Sequence, residues 1–303
     1  MKLDELIKKA RERDLSDASA LQDLFDVCRL YESENFEEAH SVNKEVRRLS
    51  AKYAKEQNSF KMFDLNKRSL LFDAPYDFDA HCRYIDWNRE PSKRFYLPRR
   101  KQLYKVASAL QKLADNELDL LAISLPPGVG KTTLALFFLT WLGGRNPEKP
   151  ILGGSHSNAF LRGVYDECLR IMDPQGDYLW HDVFPTVQVV KTNAQDMMLD
   201  LGTDSKKGKR FATLEFSSVG SGNAGKVRAE NLLYCDDLVD GLESALSKER
   251  MDKLWNLYAT DLRQRKIGNC KELHIATRWS IHDVIGRLEQ SYGESRQADE
   301  SNH

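Results

Sequence analysis

Cysteine is scarce in this chain and poorly placed for cross-linking. Its 303 residues include five cysteines, Cys28, Cys82, Cys168, Cys235 and Cys270, odd in number and never spaced as C-x-x-C. That pattern argues against a disulfide framework or a zinc knuckle and is expected of reduced thiols in a cytosol. Long apolar runs are missing too. The longest, residues 134–142, suits a buried helix and falls well short of the ~20 residues that span a bilayer, so no membrane partner is expected. The opening MKLDELIKKARER is charged and amphipathic, unlike a secretory leader. Net charge is close to absent, at −1, so bulk electrostatics does not by itself point to nucleic acid. No internal repeat or low-complexity tract is found.

What is present is the composition of a globular protein, 41% hydrophobic and 30% charged, in a length that can bury one large core or two modest ones. Residues 1–60 read as helical. Leu3, Leu6, Ile7 and Ala10 share one helical face, as do Leu21, Leu24, Phe25 and Cys28, and residues 36–56 form a lysine- and glutamate-rich third segment. Residues 61–98, rich in aromatics, Asp and Pro, read as an irregular connecting segment. From 99 to 293 helices and strands alternate. Helices are expected at 99–114, 131–142, 158–172, 244–265 and 281–292. Strands are expected at 118–125, 151–155, 187–190, 197–201, 211–216, 231–235 and 272–277. Gly143-Gly144 is expected to stop the second of these helices. Alternation of this kind predicts an α/β fold with a mostly parallel sheet flanked by helices. Residues 294–303 are a tail. Basic clusters occur at Lys93-Arg94 with Arg99-Arg100-Lys101, at Lys206-Lys207 with Lys209-Arg210, and at Arg263 with Arg265-Lys266. Such runs are usually solvated faces, though a local basic surface can follow phosphates on a neutral protein.

The stretch LDLLAISLPPGVGKTTLALFFLTWLGG, residues 118–144, has the form of a phosphate-binding loop, G-x-x-x-x-G-K-[ST], with Leu125 in place of the first glycine. An apolar strand, expected to be buried, delivers the loop. Gly128 and Gly130 keep side chains away from where phosphate approaches, with Pro127 and Val129 completing the wrap. Lys131 and Thr132, followed by Thr133, stand where a lysine reaches terminal phosphates and a hydroxyl holds magnesium, and the next helix offers its N-terminus to the anion. Pro126-Pro127 can set the loop's shape without the missing glycine. Alone, the segment is also what a strand, a turn and a surface lysine look like. A second motif, ENLLYCDDLVDG, supplies an apolar strand ending in Asp236-Asp237, about 100 residues on. In ATPases of this class the first acid orients magnesium and the second activates water. Asp237 stands where many carry Glu, and Glu243 nearby is the alternative. A third, HIATRWSIHDVIGRL, brings Thr277-Arg278-Trp279 to another strand tip, where a polar group can sense the terminal phosphate. Ser155 and His156 follow the second strand and carry no assignment.

With these motifs in view, the chain resembles the large terminase subunit of tailed bacteriophages, from LLFDAPYDFDAHCRYIDWNREPSKRFYLPRRKQL through LPPGVGKTT, LLYCDDLVDGLESAL and YATDLRQRK to ATRWSIHDVIGRL. The resemblance implies a P-loop ATPase of the ASCE type behind a helical N-terminal region. It implies a ring of subunits, five in number, that hydrolyses ATP with Mg2+ to move double-stranded DNA into a procapsid. The implied partners are the portal protein and a small terminase subunit, and the implied setting is the cytoplasm of an infected bacterial host, transiently at the portal vertex. By resemblance Lys131 and Thr132 bind phosphates and metal, Asp236 holds the metal, Asp237 activates water, and Thr277 and Arg278 couple hydrolysis to motion. The region of Tyr96, Arg99 and Gln102 matches where adenine is contacted. The loop lacks the arginine many terminases carry there, leaving Arg145, Arg162 and Arg228 as unranked substitutes. A complete large terminase continues into an RNase H-like nuclease, and no such segment or activity is expected here, as in a truncated form or a split gene. Two rivals stand beside this reading: another P-loop helicase or remodelling ATPase, and a non-hydrolysing scaffold that recruits portal or small subunit.

Overall fold

A computed structural model describes residues 3–126, 128–203, 211–220 and 227–292. The chain divides into two compact units, Met1–Trp87 and Asn88–His303. The first is built from α1 (Leu3–Arg11), α2 (Ala18–Tyr31), α3 (Phe36–Glu56), α4 (Phe60–Asp73) and α5 (Phe78–Tyr84). Their apolar stripes meet in one core that includes Ile7, Leu21, Leu24, Phe25, Val42, Val46, Met62 and Leu65. Residues 61–98, read as irregular from their composition, are largely helical here. The polar residues that look like loop signals are caps. Ser59 accepts from the Met62 N–H at 3.4 Å to start α4, and Asp77 accepts from the Ala80 N–H at 2.9 Å to start α5. Between them Met62, Leu65, Ser69 and Leu70 recur at helical spacing and are buried.

The second unit opens with a short 3₁₀ turn, Pro91–Lys93, and continues through α6 (Tyr96–Ala114), β1 (Leu120–Ile123), α7 (Lys131–Arg145), β2 (Ile151–Ser155), α8 (Asn158–Ile171) and α9 (Trp180–Val183). There follow β3 (Gln188–Asn193), β4 (Met198–Gly202), β5 (Leu214–Ser218), β6 (Leu232–Asp236), α10 (Gly241–Leu246), α11 (Lys248–Leu257), β7 (Lys271–Ile275) and α12 (Val284–Tyr292). The strands form a seven-stranded mixed sheet in the order β1-β7-β6-β2-β5-β4-β3. The first five in that order run parallel, and β4 and β3 close the far edge antiparallel. In register, Ile123 lies opposite Ile275, Ile275 opposite Asp236, and Cys235 opposite Gly154. The carboxyl ends of β1, β7, β6 and β2 therefore share one edge, where open parallel sheets build their sites.

Three expectations are corrected in detail. The phosphate-loop strand was expected to be buried, but β1 is an edge strand and Leu120, Leu121 and Ala122 are only half-buried. Gly143-Gly144 does not stop α7, which runs to Arg145. A Cβ on Gly143 would press on Leu201 and Leu214 at 3.1 and 3.3 Å, and one on Gly144 would enter the Phe184 ring. These glycines admit neighbours and do not end the helix. The helix expected at 244–265 is broken at Ser247, whose extended backbone ends α10 and whose hydroxyl accepts from the Arg250 N–H at 3.3 Å to start α11. After Leu257 the chain passes through a π-turn, Tyr258–Leu262, and a 3₁₀ turn, Arg263–Arg265.

Candidate phosphate and acid site

The turn between β1 and α7 bends through two left-handed glycines, Gly128 at φ 80° and Gly130 at φ 92°. Open space surrounds the place of a Gly128 Cβ, whereas a Gly130 Cβ would enter the ring of Phe95. Pro127 lies outside the described residues. No side chain caps α7, so the N–H groups of its first turn, beside half-buried Val129, Lys131, Thr132 and Thr133, face outward as an anion cradle does. Lys131 Nζ donates to the Leu125 carbonyl at 3.2 Å and to Thr277 Oγ1 at 3.0 Å. The residue in place of the missing glycine thus helps to hold the lysine.

Asp236 ends β6 fully buried. Its Oδ2 accepts from Thr132 Oγ1 at 3.4 Å and from the Tyr234 hydroxyl. Its Oδ1 is buried with no hydrogen-bond partner. Burial pushes the Asp236 carboxyl up to about 6. The Tyr234 hydrogen bond opposes the rise, the Asp237 charge adds to it, and Lys131 and Thr132 oppose it. An orphaned carboxylate oxygen beside a threonine hydroxyl is a donor set suited to Mg2+, which takes hard oxygen ligands and usually keeps several from water and phosphate. No group of three or more His, Cys, Asp and Glu side chains able to hold a metal occurs among the described residues.

Asp237 adopts a left-handed backbone, φ 40°, which costs a residue with a Cβ roughly 1–2 kcal/mol. Its N–H donates to the Ile275 carbonyl at 2.9 Å and its Oδ1 accepts from the Thr277 N–H at 3.2 Å. Thr277 is thereby joined to Lys131 through its hydroxyl and to Asp237 through its backbone. Glu243, the alternative acid, sits exposed in the first turn of α10.

Other expected site residues lie apart from this knot. The Arg278 guanidinium is engaged by Glu289 of α12 at 2.7 Å and by Asp283 at 3.5 Å. Arg99 lies over the Phe95 ring at 5.4 Å and donates to the Phe95 carbonyl at 3.2 Å, and Gln102 is exposed on the same helix. Phe95 was not singled out from sequence, although an aromatic four residues before Arg99 is the available signal. Arg145 ends α7, about 21 Å of helix from Lys131, and Arg228 precedes β6 at the opposite edge of the sheet. Arg162, one turn into α8, donates to the Ala194 carbonyl. In the last basic cluster, Arg263 and Lys266 approach the buried Glu272 carboxylate at 3.3 and 3.4 Å. The cluster at 206–210 lies outside the described residues.

A cleft of about 290 Å³ at the other end of the sheet, lined by Leu113, Phe138, Lys149, Asn231 and Lys271 among others, contains none of these groups. No helix among the described residues is long and apolar enough to cross a membrane. No protein-family model matches the chain, and no curated protein matches its sequence.

Proposed function

We propose that this chain is the ATP-hydrolysing motor part of a terminase large subunit, a P-loop ATPase of the ASCE type that drives double-stranded DNA into a procapsid. One observation carries the reading: a single edge of the sheet gathers the loop lysine, a threonine hydroxyl beside a carboxylate with an orphaned oxygen, and a second carboxylate tied to the lysine through Thr277. A structural strand–turn–helix has no need of a buried, half-satisfied carboxylate beside a lysine, because each such group costs stability.

In this reading the α7 N-terminus and Lys131 hold the β- and γ-phosphates of ATP, and Thr132 and Asp236 hold Mg2+. The bound cation supplies charge neutralisation on the phosphate oxygens. Asp237 takes a proton from the attacking water, with Glu243 the alternative base. Thr277 is in contact with both the lysine and the acid, so it can register loss of the terminal phosphate and pass it to β7. Arg278, held by α12, carries that change away from the site. By the same resemblance Arg99 and Gln102 would contact adenine, with Arg99 packed over the Phe95 ring. The ring of five, the portal and small-subunit partners and the setting in an infected host belong to the same proposal and rest on the resemblance of the motifs.

The test is Mg2+-dependent ATP hydrolysis at rising protein concentration, for the unmodified chain, Lys131→Ala and Asp237→Asn. Turnover that climbs faster than linearly and vanishes in both variants supports an assembled motor. Loss in Lys131→Ala alone moves the base to Glu243. A chain that neither binds nor hydrolyses ATP at any concentration ends the motor reading in favour of a scaffold.

A further inference from the structure

Asp237 is clamped from both sides by neighbouring strand tips. On the β7 side its N–H and carboxylate are taken by Ile275 and Thr277. On the β2 side three donors converge on its carbonyl oxygen: His156 Nδ1, the buried Ser155 hydroxyl at 3.4 Å and the His156 N–H at 3.5 Å. The latter two are long, so His156 Nδ1 is the principal contact. A carbonyl only accepts, so Nδ1 carries the proton, and Nε2 is left facing Asp240 Oδ1 at 3.7 Å. His156 thus bonds Asp237 and faces Asp240 of the same acidic loop, and with about 32% of its side chain open to solvent it is not a core residue.

We propose that His156 is a positioning residue for the water-activating acid. By donating from Nδ1 to the Asp237 carbonyl it holds the left-handed peptide in place and so fixes the direction in which the carboxylate points. A non-glycine residue stays in that conformation only where its surroundings over-determine it, and the β2 tip supplies the half of those surroundings that does not come from β7. This inference rests on Asp237 acting as the base in the proposed ATPase.

Side-chain length provides the test. The amide nitrogen of Asn occupies the position of His Nδ1, whereas that of Gln matches Nε2 and cannot reach the same carbonyl in the same way. Steady-state ATP hydrolysis by the full chain is compared for wild type, His156→Ala, His156→Gln and His156→Asn, with binding of a fluorescent ATP analogue as the check on folding. The expected result is a kcat about tenfold to a hundredfold lower in the Ala and Gln variants, with KM and analogue binding within about twofold of wild type, and most of the loss recovered in the Asn variant. Equal rates in Asn and Gln variants, an unchanged kcat in the Ala variant, or a loss confined to KM would overturn the proposal. Those outcomes leave the ATPase reading standing if Lys131→Ala is inactive. A wild type without turnover removes both.

Discussion

Thr277 accepts a hydrogen bond from Lys131 Nζ at 3.0 Å through its hydroxyl and donates one to Asp237 Oδ1 at 3.2 Å through its backbone. One residue just past the end of β7, the strand between the phosphate loop and the acid pair, therefore touches both. Thr277→Val keeps the shape and the backbone donor but leaves the lysine with only the Leu125 carbonyl. ATP turnover is expected to fall about a hundredfold, the low end of the range for losing one preorganised polar contact. Thr277→Ser, which retains the hydroxyl, should stay close to wild type. Equal activity in the Val and Ser variants would mean that the hydroxyl has no part in the chemistry.

The orphaned oxygen of Asp236 makes a prediction of opposite sign for stability and activity. With its folded pKa raised to about 6, the buried carboxyl costs nothing below the ordinary carboxylate range and progressively more as pH rises towards about 6. Above that the full cost applies, up to roughly 3 kcal/mol. Without nucleotide or metal, Asp236→Asn should therefore melt a few degrees higher than wild type at pH 7, with the difference shrinking below pH 4. The same variant should lose Mg2+-dependent turnover. A thermal scan at the two pH values and one activity assay check both halves, and a variant that melts lower at pH 7 contradicts the first.

How much of this was legible in the sequence depended on the range over which each feature is determined. The strand–loop–helix around Lys131 and the strand ending in Asp236-Asp237 are local patterns, and their spacing alone located them. Strand alternation sufficed for the class of fold, because parallel sheets need helical crossovers. The helices at 60–73 and 78–84 were missed because Ser59 and Asp77 serve as caps, and a cap and a loop use the same residues. Gly143 and Gly144 were misread because glycine for close packing looks like glycine for termination until Leu214 and Phe184 are seen against them. The His156 contact with Asp237 joins residues 81 apart in the chain, and no local spacing encodes it.

In the N-terminal unit, His40 lies among Asp73, Glu32 and three aromatic rings. Its Nδ1 is 2.6 Å from Asp73 Oδ1 and its Nε2 3.2 Å from Glu32 Oε1, and Asp73 also binds Arg47. Its ring lies against Phe36, Phe72 and Tyr76, with centroids 4.1, 4.6 and 5.1 Å away. Burial alone would lower the imidazole pKa, but the hydrogen bonds and charges of Asp73 and Glu32 outweigh it and the net direction is up. A group raised in the folded state stabilises fully below its unfolded pKa, about 6.5, and ceases to do so as pH climbs through the folded value. Hydrogen-exchange protection of α3 and α4, corrected for intrinsic rates, should fall from pH 6 to pH 9. His40→Gln should show lower protection at pH 6 and a flatter profile.

Glu272 is the buried charge on which the middle of β7 depends. It accepts from the Tyr258 hydroxyl at 3.2 Å and is flanked by Arg263, Lys266 and, at 3.8 Å, His274. Burial would raise its carboxyl, but His274, Lys266 and Arg263 together hold it down at about 2. The sign is therefore the reverse of that for Asp236: the stabilisation is present above the ordinary Glu pKa and is lost as pH falls from about 4.5 towards 2. Glu272→Gln keeps the volume and removes the charge, leaving three basic groups around a neutral amide. A loss of about 3 kcal/mol in urea unfolding at pH 7 is expected, at the lower end for breaking a buried pair because Arg263 and Lys266 can turn partly to solvent. Since Glu272 also anchors the Tyr258–Arg265 turns to β7, the strand that leads into Thr277, the variant should lower ATP turnover even at temperatures where it stays folded. Loss of stability with turnover intact would show that these turns serve only to cover the sheet.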